Sequence, residues 1–237
     1  MKVLVLGASG ATGKLVVKQL IKRQINTRII VRKSTTLPQD IIDNPLVEVI
    51  KGNINELNDT ELNQLISGSN VIISCLGHNV TLRGLFGEPR YLVFDAVRRV
   101  CEAAKYTDNK IKLILMSTVA YTNASIGEKK SPGEKIMLAL VNLFLPPHRD
   151  NVRAANFLVN LIDNMDEMVE WVAVRPDSLV NDDEESSYEI YESPVWSILK
   201  DIGKTSRINA AHFMAELVSD EGLWRKWSFK TPVVYNK

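Results

Sequence analysis

The stretch "MKVLVLGASGATGKLVVKQLIKR" (Met1–Arg23) decides the fold, because it holds a strand, a turn and a helix in that order. Lys2–Leu6 is almost wholly apolar, as in a strand buried on both faces of a parallel sheet. Thr12–Arg23 has the helical period. Between them stand Gly7, Gly10 and Gly13, three residues apart. Gly7 lets the chain turn sharply off the strand, Gly10 lets the backbone approach a pyrophosphate, and Gly13 lets the helix pack closely on the strand. The amides around Ala11 and Thr12 then face an anion with the helix dipole behind them, and the hydroxyls of Ser9 and Thr12 add donors. A tight strand-to-helix turn seldom needs three glycines, so this context predicts a dinucleotide-binding loop.

Working outward, the same alternation recurs. Further strands are expected at Thr27–Val31, Val47–Ile50, Asn70–Ser74, Ile111–Ser117 and Val169–Arg175. Helical segments lie between them at 59–66, 90–105 and 148–164. In the second, Leu92, Val93, Ala96, Val97, Val100 and Cys101 share one face. Strand, helix, strand, repeated, implies an α/β fold: a doubly wound, parallel Rossmann sheet with helices on both faces. We expect a single NAD(P)-binding domain over residues 1–237, with 177–208 forming part of a substrate-side region. "NDDEESS" (Asn181–Ser187) reads as a solvated loop after the sixth strand, in the position of a lid. The tail is expected to add a helix at 209–220 and an edge strand within 228–236.

Composition narrows the function. The 237 residues are 45% hydrophobic and 24% charged, an ordinary globular balance. A net charge of +1 gives no electrostatic case for nucleic acid or an anionic membrane, leaving a small molecule as the expected partner. Cys75 and Cys101 are the only cysteines and lack CxxC spacing, which predicts a reducing, cytoplasmic setting and no metal site. "MKVLVLG" stops at a turn too soon for a signal peptide. "IMLALVNLFL" (Ile136–Leu145) is far short of the ~20 residues of a membrane helix, and suits a pocket wall or a subunit contact.

GxxGxxG at this place resembles the short-chain dehydrogenase/reductase superfamily, and "GASGATG" resembles its atypical, NmrA-like and biliverdin-reductase-B-like branch. In this fold an acid ending the second strand meets the adenosine ribose, whereas an arginine there accommodates a 2′-phosphate. "TRIIVRKS" ends in Arg32 and Lys33, so the expected cofactor is NADP, with NAD as the alternative. "VIKGNINE" resembles the family's Gly-Asp segment beside adenine, which puts Asn53 and Ile54 in the site. "VIISCLG" resembles the turn over the cofactor ribose and implies Cys75, Leu76 and Gly77. "WVAVRPDSL" resembles the sixth strand ending in Arg-Pro and implies Pro176 near the nicotinamide carboxamide.

The same resemblance calls for Ser, Tyr and Lys, the last two as YxxxK on the helix after the fifth strand. "YTDNK" (Tyr106–Lys110) fits by letters but precedes that strand, and the helix after it has neither residue. Ser117 falls where the family's serine lies. The flavin-reducing branch carries a histidine-type residue on the helix; Asn151 aligns there, with His148 nearby. The candidate catalytic residues are therefore Ser117, Tyr121 and His148. His78, after the fourth strand, is placed to overlook the cofactor, and His212 to pack in the last helix. Arg83 and Arg90 suit an anionic substrate or the cofactor phosphates. The resemblance implies an NAD(P)H-dependent oxidoreductase passing hydride to a flavin, quinone or small carbonyl. The alternative, supported by loss of the Tyr-Lys pair, is a non-catalytic, NAD(P)-sensing regulator of NmrA type; the enzyme is the favoured reading.

Overall fold

The computed structural model describes residues 1–78, 90–162, 166–199 and 201–237. The chain runs β1 (Lys2–Leu6), α1 (Ala11–Lys22), β2 (Asn26–Val31), α2 (Gln39–Ile42), β3 (Val47–Lys51), α3 (Asp59–Ile66) and β4 (Val71–Ser74). It continues with α4 (Leu92–Ala104), β5 (Ile111–Met116), α5 (Pro132–Phe144), α6 (Pro146–Leu161) and β6 (Val169–Pro176). The remainder is β7 (Ser178–Val180), β8 (Tyr188–Tyr191), β9 (Lys204–Ser206), α7 (Arg207–Ser219), α8 (Glu221–Trp227) and β10 (Val233–Asn236).

The main sheet has the order β3-β2-β1-β4-β5-β6-β10-β8, parallel except for β8. This is the Rossmann arrangement expected from the alternating pattern. Neighbouring residues of each strand face opposite cores. Val3 and Val5 pack with Val16, Leu20, Phe213 and Trp224 of α1, α7 and α8. Leu4 and Leu6 pack with Leu62, Val97, Ala154 and Leu158 of α3, α4 and α6. Fully burying a side chain of this size contributes ~1.5–3 kcal/mol, so the two layers hold the strand ends rigidly in place.

The expected strands fall within a residue or two of the observed ones. The tail differs. β10 is interior, pairing in parallel with β6 (Val233↔Arg175) and antiparallel with β8 (Val233↔Tyr191). An edge was expected because nothing local in "YEIY" announces the strand that covers it. Ser131–Leu145 differs too: a capping box between Ser131 and Glu134, with Pro132 in the first turn, opens α5. Ile136, Leu140, Leu143 and Phe144 stand exposed at helical spacing on it. The acidic loop is anchored rather than wholly solvated, since Glu185 accepts from Gln19 of α1 at 2.7 Å.

Candidate functional site

The carboxyl ends of β1, β2 and β4 open into a cavity of about 400 Å³, within the range of small-molecule and cofactor sites. The glycine loop forms its floor. Gly7 has φ +76°, and a Cβ there would lie 2.6 Å from the Cys75 carbonyl oxygen. A Cβ on Gly13 would lie 2.1 Å from the Gly7 oxygen. These two glycines are required by the packing of the protein itself. Gly10 is not. Its Cβ would meet only the Gly7 oxygen, at 3.3 Å, and Gly10 is exposed at the start of α1. The missing side chain leaves room for whatever approaches the α1 N-terminus.

Of the residues expected to bind a cofactor, Gly7, Ser9, Gly10, Arg32, Asn53, Ile54, Cys75, Leu76 and Gly77 line this cleft. Ile30, Val31, Thr35, Gly52, His78 and Leu92 complete the wall. Ala11, Thr12 and Gly13 lie behind the floor in the first turn of α1; Lys33 is exposed outside it. Pro176 is buried at the end of β6, paired with Val234, and does not line the cleft. Arg28, earlier on β2, is engaged by Glu48 at 2.9 Å. Among the described residues no carboxylate makes such a pair with Arg32. Asn53 is partly committed, donating from Nδ2 to Glu56 at 2.8 Å. Burial pushes the Cys75 thiol up to about 12, so it stays protonated.

The expected catalytic residues lie elsewhere. Ser117 follows β5, its amide donating to the Val174 carbonyl at 2.7 Å and its hydroxyl buried without a partner among the described residues. Tyr121 is buried and lines a second cavity, of about 420 Å³, with Lys129, Lys130, Lys135, Asn142 and Asn156. Burial pushes its phenol up to about 12. His148 sits in the first turn of α6, with Nδ1 2.9 Å from Asn142 Oδ1, and burial pushes its imidazole below the ordinary range. None of the three lines the glycine cleft. His212 packs in α7, 2.7 Å from the Tyr188 hydroxyl, as its place in the last helix suggested. Arg83 lies outside the described residues.

Two buried pairs were not foreseen. His78 Nε2 donates to Asp150 Oδ2 at 2.8 Å, with side chains 6% and 0% exposed. Asp150 also accepts from the amides of Val93 (2.8 Å) and Phe94 (3.0 Å) in the first turn of α4. The signal in the sequence is an acid at helical spacing with Ala154 and Leu158, on the buried face of α6. On the other pair, Arg175 donates to both Glu128 oxygens, at 2.6 and 2.8 Å. It also reaches the carbonyls of Thr231, Tyr121 and Glu192. Burial alone would raise the Glu128 carboxyl, but the guanidinium outweighs it and holds the group below the ordinary range.

A family model described as NAD(P)H-binding matches residues 7–221. The chain belongs to that NAD(P)H-binding family. Solved structures share the fold along the whole chain. One is a Streptococcus pneumoniae protein assigned as an NADH-flavin reductase: 17% identity, TM-score 0.71, covering 100% of both chains. Another is a short-chain dehydrogenase/reductase from Veillonella parvula in complex with NADP: 17% identity, TM-score 0.67, covering 99% of this chain and 94% of that one. A third is ChuY, an anaerobilin reductase from Escherichia coli O157:H7: 16% identity, TM-score 0.68, covering 100% and 97%. These likenesses bear out the short-chain dehydrogenase/reductase resemblance at the level of fold. No match was found among curated proteins. Among the described residues, no helix is long and apolar enough to cross a membrane, and no cluster of His, Cys, Asp and Glu could hold a metal ion.

Proposed function

We propose that this chain is an NAD(P)H-dependent oxidoreductase that prefers NADPH and passes hydride to a flavin, quinone or small carbonyl acceptor. The observation that carries the reading is the opening at Gly10, where a Cβ would meet only the Gly7 oxygen, at 3.3 Å, and the missing side chain clears the approach to the α1 N-terminus. The amides of Ala11 and Thr12, with Ser9, would hold a pyrophosphate there. Arg32, at the end of β2, would take a 2′-phosphate through its guanidinium. Ile54 would lie along adenine, and Leu76 and Gly77 would pass over a ribose. The bound nucleotide supplies the hydride; the protein supplies position and field. The NADP-bound and flavin-reductase neighbours support this chemistry by shared fold alone.

Calorimetric titration with NADPH tests the site. Gly10→Val should abolish binding in a folded protein, because the added side chain fills the space that the pyrophosphate needs. Undiminished affinity sinks the assignment. Arg32→Ala should weaken NADPH binding by about 1.5–3 kcal/mol, the range for a hydrogen bond to a charged group, and NADH binding far less. Equal losses would retire the preference for NADP. Tight NADPH binding with no turnover of any flavin, quinone or aldehyde would favour the nucleotide-sensing alternative.

A further inference from the structure

We propose that the outward face of α5 is the interface of a two-fold dimer of this chain. A capping box starts the helix, and Glu134 is its one buried residue; none of its apolar side chains is fully buried. Leu138 and Asn142, on one side, line the cavity of about 420 Å³ beside Tyr121. On the other side Ile136, Leu140, Leu143 and Phe144 stand half exposed or more. A helix of this length takes its stability from burying an apolar face rather than from propensity. These four side chains are left largely in water.

The chain beside the helix extends the face. Glu134 accepts from the Ser197 hydroxyl at 3.1 Å and the Ile198 amide at 3.2 Å, which ties the segment after β8 to α5. Leu199 of that segment lies over Gly133, where a Cβ would meet its δ1 carbon at 3.3 Å. Leu199 is itself exposed, as are Val195 and Trp196. Gly133, Ile136, Leu140 and Leu143 recur at intervals of three, four and three residues. Leu199 therefore prolongs their row on the same side of the helix.

Three properties select a second copy as the occupant. Spacing by threes and fours is that by which two helices pack side by side. Ile136–Leu145 has no charged residue, so a face equally free of charge must cover it if no ion is to be stranded. Its own copy presents one. The third property is area. Each of the seven exposed side chains named leaves on the order of 100 Å² to water. Together they approach the ~800 Å² that each partner of a standard interface buries. A helix suited to a lipid surface carries Lys and Arg along its polar face, whereas α5 has the single Lys135. A two-fold axis near Leu140 lays the helices antiparallel and sets Ile136 of each copy against Leu143 of the other. The same pairing braces the cavity wall formed by Leu138 and Asn142.

Sedimentation equilibrium of the full chain in the micromolar range tests the pairing and should give twice the chain mass. Leu140→Glu places two like charges at the axis. It should raise the dissociation constant by about 30-fold or more, the loss expected of a central interface residue, with circular dichroism unchanged. Leu161→Glu, also exposed but at the far end of α6, should leave the constant as it is. Hydroxyl-radical labelling of the wild type needs no variant. Corrected for intrinsic reactivity, Phe144 should be protected, whereas the exposed Tyr106 is labelled freely. A monomeric wild type overturns the proposal, and phosphatidylglycerol vesicles that sediment such a monomer would assign the face to lipid. A dimer in which Phe144 labels as freely as Tyr106 overturns it too. So does a folded Leu140→Glu of wild-type affinity, or equal weakening by Leu161→Glu.

Discussion

Glu128 and Asp150 are both buried carboxylates, but their partners commit them to different work. Glu128 meets a guanidinium that spends its remaining N–H groups on three backbone carbonyls, from the loop after β5, the segment after β8 and the approach to β10. Every donor on Arg175 is thereby occupied inside the protein. This pair ties the sheet's far side together. Asp150 instead meets two amides and the imidazole of His78, a residue of the cleft wall. A buried carboxylate whose partner is saturated by backbone can only hold structure, whereas Asp150 also fixes a residue of the cleft wall to α6.

The sharpest way to break this comparison is Arg175→Met. It should cost about 3–5 kcal/mol in urea unfolding, because it strands the Glu128 charge without its partner. A loss below 1 kcal/mol would mean that the site relaxes or takes in water, and the contrast would dissolve. Asp150→Asn should cost about 2 kcal/mol, the worth of hydrogen bonds to a charged group, since the amide oxygen can still accept one α4 amide. A loss equal to that of Arg175→Met would make Asp150 as structural as Glu128. The smallest effect concerns acid. The Glu128 carboxyl is held below its ordinary value of 4.5 in the folded chain. Its stabilisation is therefore complete above the unfolded pKa and is lost as pH falls through the folded one. Thermal melting should show the wild type well above Glu128→Gln at pH 7, with the two converging below about pH 4, where the unfolded carboxyl protonates. A gap independent of pH would show that the charge of Glu128 does not matter.

The two regions were unequally legible in the sequence. Much of the lining of the glycine cleft could be read from the sequence. Gly7 and Gly13 answer to local backbone demands, and Arg32 and Gly77 follow strands whose ends are set by runs of Val, Ile and Leu. The places of the expected catalytic residues could not be read in the same way. Ser117, Tyr121 and His148 are singled out only by their places along the chain, and the fold puts none of them on the cleft wall. The loop after β4 makes His78 legible, but nothing local links it to Asp150, because 72 residues separate the two. Nothing beside Arg175 in the chain reveals that Glu128 lies against it.

The amino-acid sequence alone determined the order of strands and helices, the parallel sheet and the place of the glycine loop. These depend on periodicity and on φ values that neighbouring residues dictate. Only the tertiary structure decided that β8 covers β10, that Arg175 closes on Glu128, and that Asp150 holds His78 at the cleft. Each of these joins residues distant in the chain, and what selects them is burial. A charge removed from water must find whatever partner the packed elements bring within reach, and only the assembled fold fixes which one that is.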